Sequence, residues 1–242
     1  MTHGKPPLRQ SPSAAVSGVA KGRDMTTADN ASEAAVARTG GMTPAAPVDV
    51  EVLRDEIQKT YNDVSTRPEG AFIFPTGRSW AEELEYPQAL LDRVPEGSAE
   101  SFAGVANHFK LGQIEPGETV LDLGCGTATD LLIAAQMAGS SGRAIGIDMT
   151  RAMVERARES AAEMGLENVE VHEGMIERVP VPDESVDVVI SNGVIDLVPD
   201  KDAVFSEIWR VLRGDGRLQI ADVTIRRPVS EEGKRNIDLW TG

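Results

Sequence analysis

The chain has 242 residues, of which 40% are hydrophobic and 26% charged, the balance of an ordinary globular protein. Its formal net charge of −15 argues against a nucleic-acid or anionic-membrane binder, which needs a basic face, and no apolar run approaches the roughly 20 residues that span a bilayer. Cys125 is the sole cysteine, so an internal disulfide is impossible, nothing points to an oxidising compartment, and a cytoplasmic protein is expected.

Residues 1–48 are rich in Ala, Gly, Ser, Thr and Pro and hold no aromatic residue. Such a stretch buries too little apolar surface to offset its ordering entropy, and a disordered tail is expected. Lys5, Arg9, Lys21 and Arg23 give it a slight basic bias, but no apolar h-region follows, so it does not read as a signal peptide. Met25 and Met42 are alternative starts.

Residues 49–110 are expected to form a helical cap. Val50, Val52, Leu53, Ile57 and Tyr61 fall at helical spacing, and Phe72, Phe74, Trp80, Tyr86, Leu90 and Leu91 follow, interrupted by Pro75, Gly77 and Pro87. Ser101 to Phe109 is small and apolar with a polar Asn107-His108 tip. It reads equally as a loop packed under the cap or as a lid over a ligand.

From residue 111 to 242 the pattern alternates. Strands are expected at Thr119–Leu123, Arg143–Ile147, Val169–His172, Val186–Ser191 and Arg217–Ala221. Helices fall between them: one from about Thr129 to Gly139, one capped by Thr150 with Met153, Ala157, Ala161 and Met164 on a stripe, and one from about Asp200 with Val204, Ile208 and Val211 inward. The Gly214-Asp-Gly216 run reads as the turn into the last strand. Units of this length imply an α/β fold with a doubly wound, mainly parallel sheet. Strands one, four and five lie on one side and two and three on the other, which places a ligand at the carboxyl end of strand one. No strand pattern follows Ala221, so the sheet reads as truncated after strand five unless the final charged helical segment covers its edge.

The chemistry concentrates where strand one ends. Asp122 is followed by Gly124-Cys-Gly126 and then a helix start, and Asp148 ends strand two 22 residues beyond Gly126. That is where a ribose-binding acid is expected. The third glycine of the dinucleotide fingerprint is absent, as is a P-loop; no pyrophosphate need be present, since the turn is also suited to a zwitterionic amino-acid tail, whose ammonium Asp122 can serve directly or through water. His3, His108 and His172 stand far apart with no CxxC or HxxxH spacing, and no metal site is expected.

Residues 117–222 resemble the class I S-adenosylmethionine-dependent methyltransferases, with a Rossmann-like fold. The glycine motif, Gly146-Ile-Asp-Met-Thr150, Glu173-Gly-Met-Ile-Glu177 and Arg210-Val-Leu-Arg-Gly-Asp-Gly216 carry the resemblance. Within that superfamily the chain is most similar to the arsenite methyltransferases, on Asp148-Met-Thr150, Val188 to Leu197, Pro199-Asp-Lys201 and the terminal Asp238 to Gly242. The resemblance implies S-adenosyl-L-methionine as cofactor. Its methionine part would lie on Asp122, Gly124, Cys125 and Gly126, its ribose on Asp148, its adenine between Met149 and Met175 with Ile176, and its sulfonium would face Ser191 and Asn192. It also implies thiolates for As(III), one of them just after the Ser-Asn pair. Here that residue is Gly193. Another thiolate follows the Asp-Leu-Trp motif, and Gly242 is the last residue of the chain before it.

The reaction so implied is methyl transfer to a small-molecule acceptor. Asp196 and His108 are the candidates if a base is needed. Two alternatives stay open: methylation of a small organic acceptor of quinone or natural-product type, and a non-catalytic cofactor-binding remnant.

Overall fold

A computed structural model describes residues 15–16, 48–70, 72–237 and 240. Ala15–Val16 form a two-residue strand, β1. The cap opens with α1 (Val50–Thr66), whose N-cap Asp49 accepts the N–H groups of Glu51 and Val52. Leu53, Ile57 and Val64 bury one face of it, and it stops just before Pro68, whose ring disfavours helix at the preceding residue. Three short helices follow: α2 (Arg78–Glu83), α3 (Gln88–Leu91) and α4 (Glu96–Ala99). A 3-10 turn at His108–Leu111 closes the segment.

The alternation then runs β2 (Thr119–Leu123), α5 (Thr129–Ala138), β3 (Arg143–Asp148), α6 (Arg151–Glu163), β4 (Val169–Glu173), β5 (Val186–Asn192), α7 (Lys201–Val211) and β6 (Leu212–Asp222). A short α8 (Glu231–Lys234) comes last. The sheet order is β1-β6-β5-β2-β3-β4. Strands β2 to β6 are parallel, in the expected order, and β1 is antiparallel to β6. The order reverses beside β2, so the carboxyl ends of β2, β3 and β5 open onto one crevice.

Both faces of the sheet are covered, which is why the middle of β5, Val188 to Ile190, is apolar and buried. On one face Val120, Val188 and Ile190 pack with Leu131 and Leu132 of α5, Val154 of α6, and Tyr86, Leu91, Phe102 and Phe109 of the cap. On the other, Leu121, Ile145 and Val189 meet Val204, Ile208 and Val211 of α7.

Two expectations change. The Gly214–Gly216 turn lies inside β6: Val186 pairs with Leu212 and Val188 with Arg217, so the intervening residues bulge from the strand rather than precede it. Thr150 caps α6 by position, yet its side chain makes no capping bond. Its backbone N–H instead donates to Asp148 Oδ1 at 2.8 Å. Ala15 and Val16 pair with Asp222 and Ala221 at the edge of β6. The rest of residues 1–47 lie outside the described residues, as do Asp238, Leu239, Thr241 and Gly242 of the terminal motif.

Candidate functional site

The turn between β2 and α5 is held by β3. Gly124 and Cys125 both donate their N–H to the Ile147 carbonyl, at 2.8 and 3.0 Å. That double bond folds the turn back onto the sheet and requires left-handed backbone at Gly124 (φ +68°) and Gly126 (φ +53°). A Cβ on Gly124 would also stand 2.5 Å from Val194. Gly126 is different: nothing lies within 4 Å of where its Cβ would be, so its backbone is left bare for a close approach.

The turn floors a cleft of about 1030 Å³, measured to its open mouth. Asp122, Gly124, Cys125, Gly126, Asp148, Met149, Met175, Ile176 and Asn192 all line it, so nine of the ten expected cofactor contacts share one wall system. The tenth, Ser191, is fully buried behind that wall. The α1 helix lies across the opening with Arg54, Ile57 and Tyr61 inward. Two polar ties hold it: Arg54 to Glu177 at 3.1 Å and Gln58 Nε2 to the Met149 carbonyl at 3.0 Å.

Asp148 accepts the N–H of Gly126 on Oδ2 at 2.9 Å and that of Thr150 on Oδ1 at 2.8 Å. Each oxygen keeps a lone pair. Burial pushes this carboxyl up, against the pull of the two backbone bonds. Burial also pushes the Cys125 thiol well up, reinforced by Asp148 and Asp122, so it stays protonated and unreactive.

Asn192 is a hub rather than a lone contact. Its Oδ1 accepts the Val105 N–H at 2.8 Å, while Nδ2 donates to Tyr86 Oη at 2.9 Å, the Ala106 carbonyl at 3.0 Å and Asp130 Oδ2 at 2.9 Å. These bonds fix the 101–109 segment, whose two readings both have a place. Ser101 to Gly104 line the cleft, and Ala106 to Phe109 are buried beneath the cap.

Neither base candidate stands on the cleft wall. His108 is fully buried, packed on the Phe109 ring at 4.3 Å between centroids. Its Nε2 lies 3.4 Å from Asp130 Oδ2, an ionic distance without hydrogen-bond alignment. Asp196 sits beside Asp222 behind the wall formed by Leu197, Val198 and Pro199. Burial and then Asp222 raise its carboxyl to about 7.

Asp130, in the first turn of α5, lines the cleft and escaped the sequence reading. Its signal was an acid four residues after Gly126, followed by an apolar run in the same helix. Among the described residues no trio of His, Cys, Asp and Glu stands where it could hold a metal ion, and no helix is long and apolar enough to cross a membrane.

A family described as a methyltransferase domain matches residues 114–240. The chain is 37% identical over 214 residues to an arsenite methyltransferase of Halobacterium salinarum, covering 83% of this chain and 54% of that protein. It is 33% identical over 215 residues to the arsenite methyltransferase of Rattus norvegicus, covering 81% and 55%. The chain therefore spans about half the length of the curated relatives it matches. Among solved structures, an arsenic(III) S-adenosylmethionine methyltransferase from Chlamydomonas reinhardtii superposes with a TM-score of 0.56 at 36% identity, covering 60% of this chain and 51% of that one.

Proposed function

The chain belongs to the methyltransferase domain family, and from that premise we propose that it is an S-adenosylmethionine-dependent methyltransferase of the arsenite type, acting on a small acceptor. One observation carries the cofactor reading: Asp122, Gly126 and Asp148, 26 residues apart at most in sequence, meet in a single cleft.

The residues present fit this cofactor. The bare Gly126 backbone gives room for the amino-acid tail, and the unpartnered Asp122 Oδ2 supplies an acceptor for its ammonium. The free lone pairs of Asp148 match two ribose hydroxyls, and Met149 and Ile176 offer apolar flanks to a base. When bound, S-adenosylmethionine supplies an activated methyl on a sulfonium. The chain's own work is orientation and exclusion of water. Ile57 and Tyr61 of α1 close one side, and Ser101 to Gly104, pinned through Asn192, close another.

The similarity to arsenite methyltransferases supports trivalent arsenic as acceptor. With a single thiol held protonated, the chain offers at most one thiolate ligand, so thiols added with the arsenite must complete the arsenic's thiolate coordination. A second reading, methylation of an organic acceptor, is favoured by Gly193. Its φ of +70° and a Cβ position 3.1 Å from Val105 make that site unsuited to a cysteine.

The purified chain is to be incubated with methyl-labelled S-adenosylmethionine, arsenite and glutathione. Labelled methylarsenicals are expected; cofactor binding without any would remove the arsenic reading and leave the organic one. Asp148→Ala is expected to weaken cofactor binding at least tenfold, about 1.4 kcal/mol, the worth of one charge-assisted bond. Unchanged affinity would remove the cofactor assignment.

A further inference from the structure

Asp122, at the end of β2, and Asp130, in the first turn of α5, line the same cleft and are 2% and 7% exposed. Each keeps a buried carboxylate oxygen with no partner, Oδ2 of Asp122 and Oδ1 of Asp130. Cations that could answer them are scarce. Among the described lining residues the only basic side chain is Arg54, and it is paired with Glu177 at 3.1 Å. Behind Asp130 stands the His108 imidazole, 3.4 Å from Oδ2. Two carboxylates buried together in a low-dielectric site do not both ionise without a compensating cation.

We propose that Asp130 is a second carboxylate for the ammonium of the cofactor's amino-acid tail, beside Asp122, and that this pair keeps one proton until the arriving ammonium displaces it. The inference rests on the cofactor reading above and adds to it a residue and a proton. On binding, the carboxyl O–H bond breaks. Its electron pair stays on the carboxylate, the proton leaves through the open mouth to solvent, and the ammonium keeps its own three protons.

The surroundings say which acid holds the proton. Burial, then the charges of Asp130 and of Asp148 from β3, push the Asp122 carboxyl well up, against a bond from the Leu131 N–H. Asp130 is also buried, but the His108 imidazole and bonds from Asn192 of β5 and Tyr86 of the cap hold it below its ordinary value. The other titratable group facing the pair is the Cys125 thiol, which is neutral. The proton therefore resides on Asp122 while Asp130 stays ionised. An incoming ammonium supplies the missing positive charge, after which both can ionise.

The test is calorimetric titration at pH 6, where an α-ammonium is fully charged, in two buffers of different ionisation enthalpy. Two probes are used, neither of which is turned over. S-adenosylhomocysteine carries the ammonium; 5′-methylthioadenosine keeps the nucleoside and sulfur but lacks it. Release of about one proton is expected with the first probe and none with the second. Asp122→Asn is expected to abolish the release. Asp130→Asn is expected to weaken S-adenosylhomocysteine at least tenfold while leaving 5′-methylthioadenosine within about twofold, which also shows that the variant is folded. Binding of both probes to the wild-type chain without proton release overturns the inference alone, as does wild-type affinity of Asp130→Asn for S-adenosylhomocysteine. Failure of S-adenosylhomocysteine to bind the wild-type chain overturns the cofactor reading and the inference with it.

Discussion

Asp196 and Asp222 meet where the turn after β5 touches the end of β6, and substituting one of them should flatten a pH dependence of stability. Asp222 Oδ2 accepts the N–H of Ile195 at 3.0 Å and of Asp196 at 3.3 Å, and its Oδ1 accepts that of Val223 at 2.7 Å. Asp196 Oδ1 is buried without a partner. Lys201 Nζ lies close, but it bonds the carbonyls of Asp196 and Val198 at 3.0 and 2.8 Å rather than either carboxylate. Burial and Asp222 raise the Asp196 carboxyl from 3.8 to about 7. The folded chain thus holds a proton that the unfolded chain releases near pH 4. The associated stability is full below that pH and is lost as pH rises through about 7. At 1.36 kcal/mol per pH unit the loss is on the order of 4 kcal/mol, a large part of the usual 5–15 kcal/mol of a folded domain. Asp196→Asn keeps a neutral donor toward Asp222 at every pH. Urea unfolding at pH 4.5 and pH 8 should show wild type and variant alike at the lower pH. The variant should be more stable at the higher, with its midpoint raised by about 1–2 M for an m-value of 2–3 kcal/mol/M. Equal midpoint differences at the two pH values would refute the shared-proton geometry.

Three further substitutions probe the turn and its supports. Gly124→Ala brings a Cβ 2.5 Å from Val194 at a φ of +68°. A cost of about 2–5 kcal/mol is expected from left-handed strain and overpacking together, and adding Val194→Ala should recover only the packing share in thermal melts. Asn192→Ala strips the partner from the Val105 N–H and from Asp130. It should cost about 2–4 kcal/mol, and hydrogen exchange at Val105 should accelerate while that at Leu121 in β2 tracks global stability. Cys125→Ala should leave cofactor affinity within about twofold and cost about 1 kcal/mol, because the thiol is a neutral filler packed toward Gly146. A thiol reagent should label the native wild type only on the timescale of unfolding.

What the sequence made legible was local in the chain. Asp122 and Asp148 end adjacent parallel strands, and the short apolar runs leading into them suffice to place them on one edge of the sheet. The Gly214-Asp-Gly216 run was recognised as irregular, but only its partner strand distinguishes a turn before β6 from a bulge within it. His108 was read only as part of a polar tip because nothing near it in sequence is its partner. The groups that bury it, Asp130 and the cap aromatics, reach it only through tertiary packing. The same is true of Asn192, 87 residues from the Val105 N–H it holds, which the family resemblance assigned to the sulfonium. Asp130 is the instructive case. Alone, an acid in the first turn of a helix is accounted for by the helix dipole, and nothing in a linear reading asks more of it. Beside His108, Asn192 and an unpartnered Asp122 it becomes half of a charge-deficient pair. An α-ammonium is the kind of ligand that would make the deficit good.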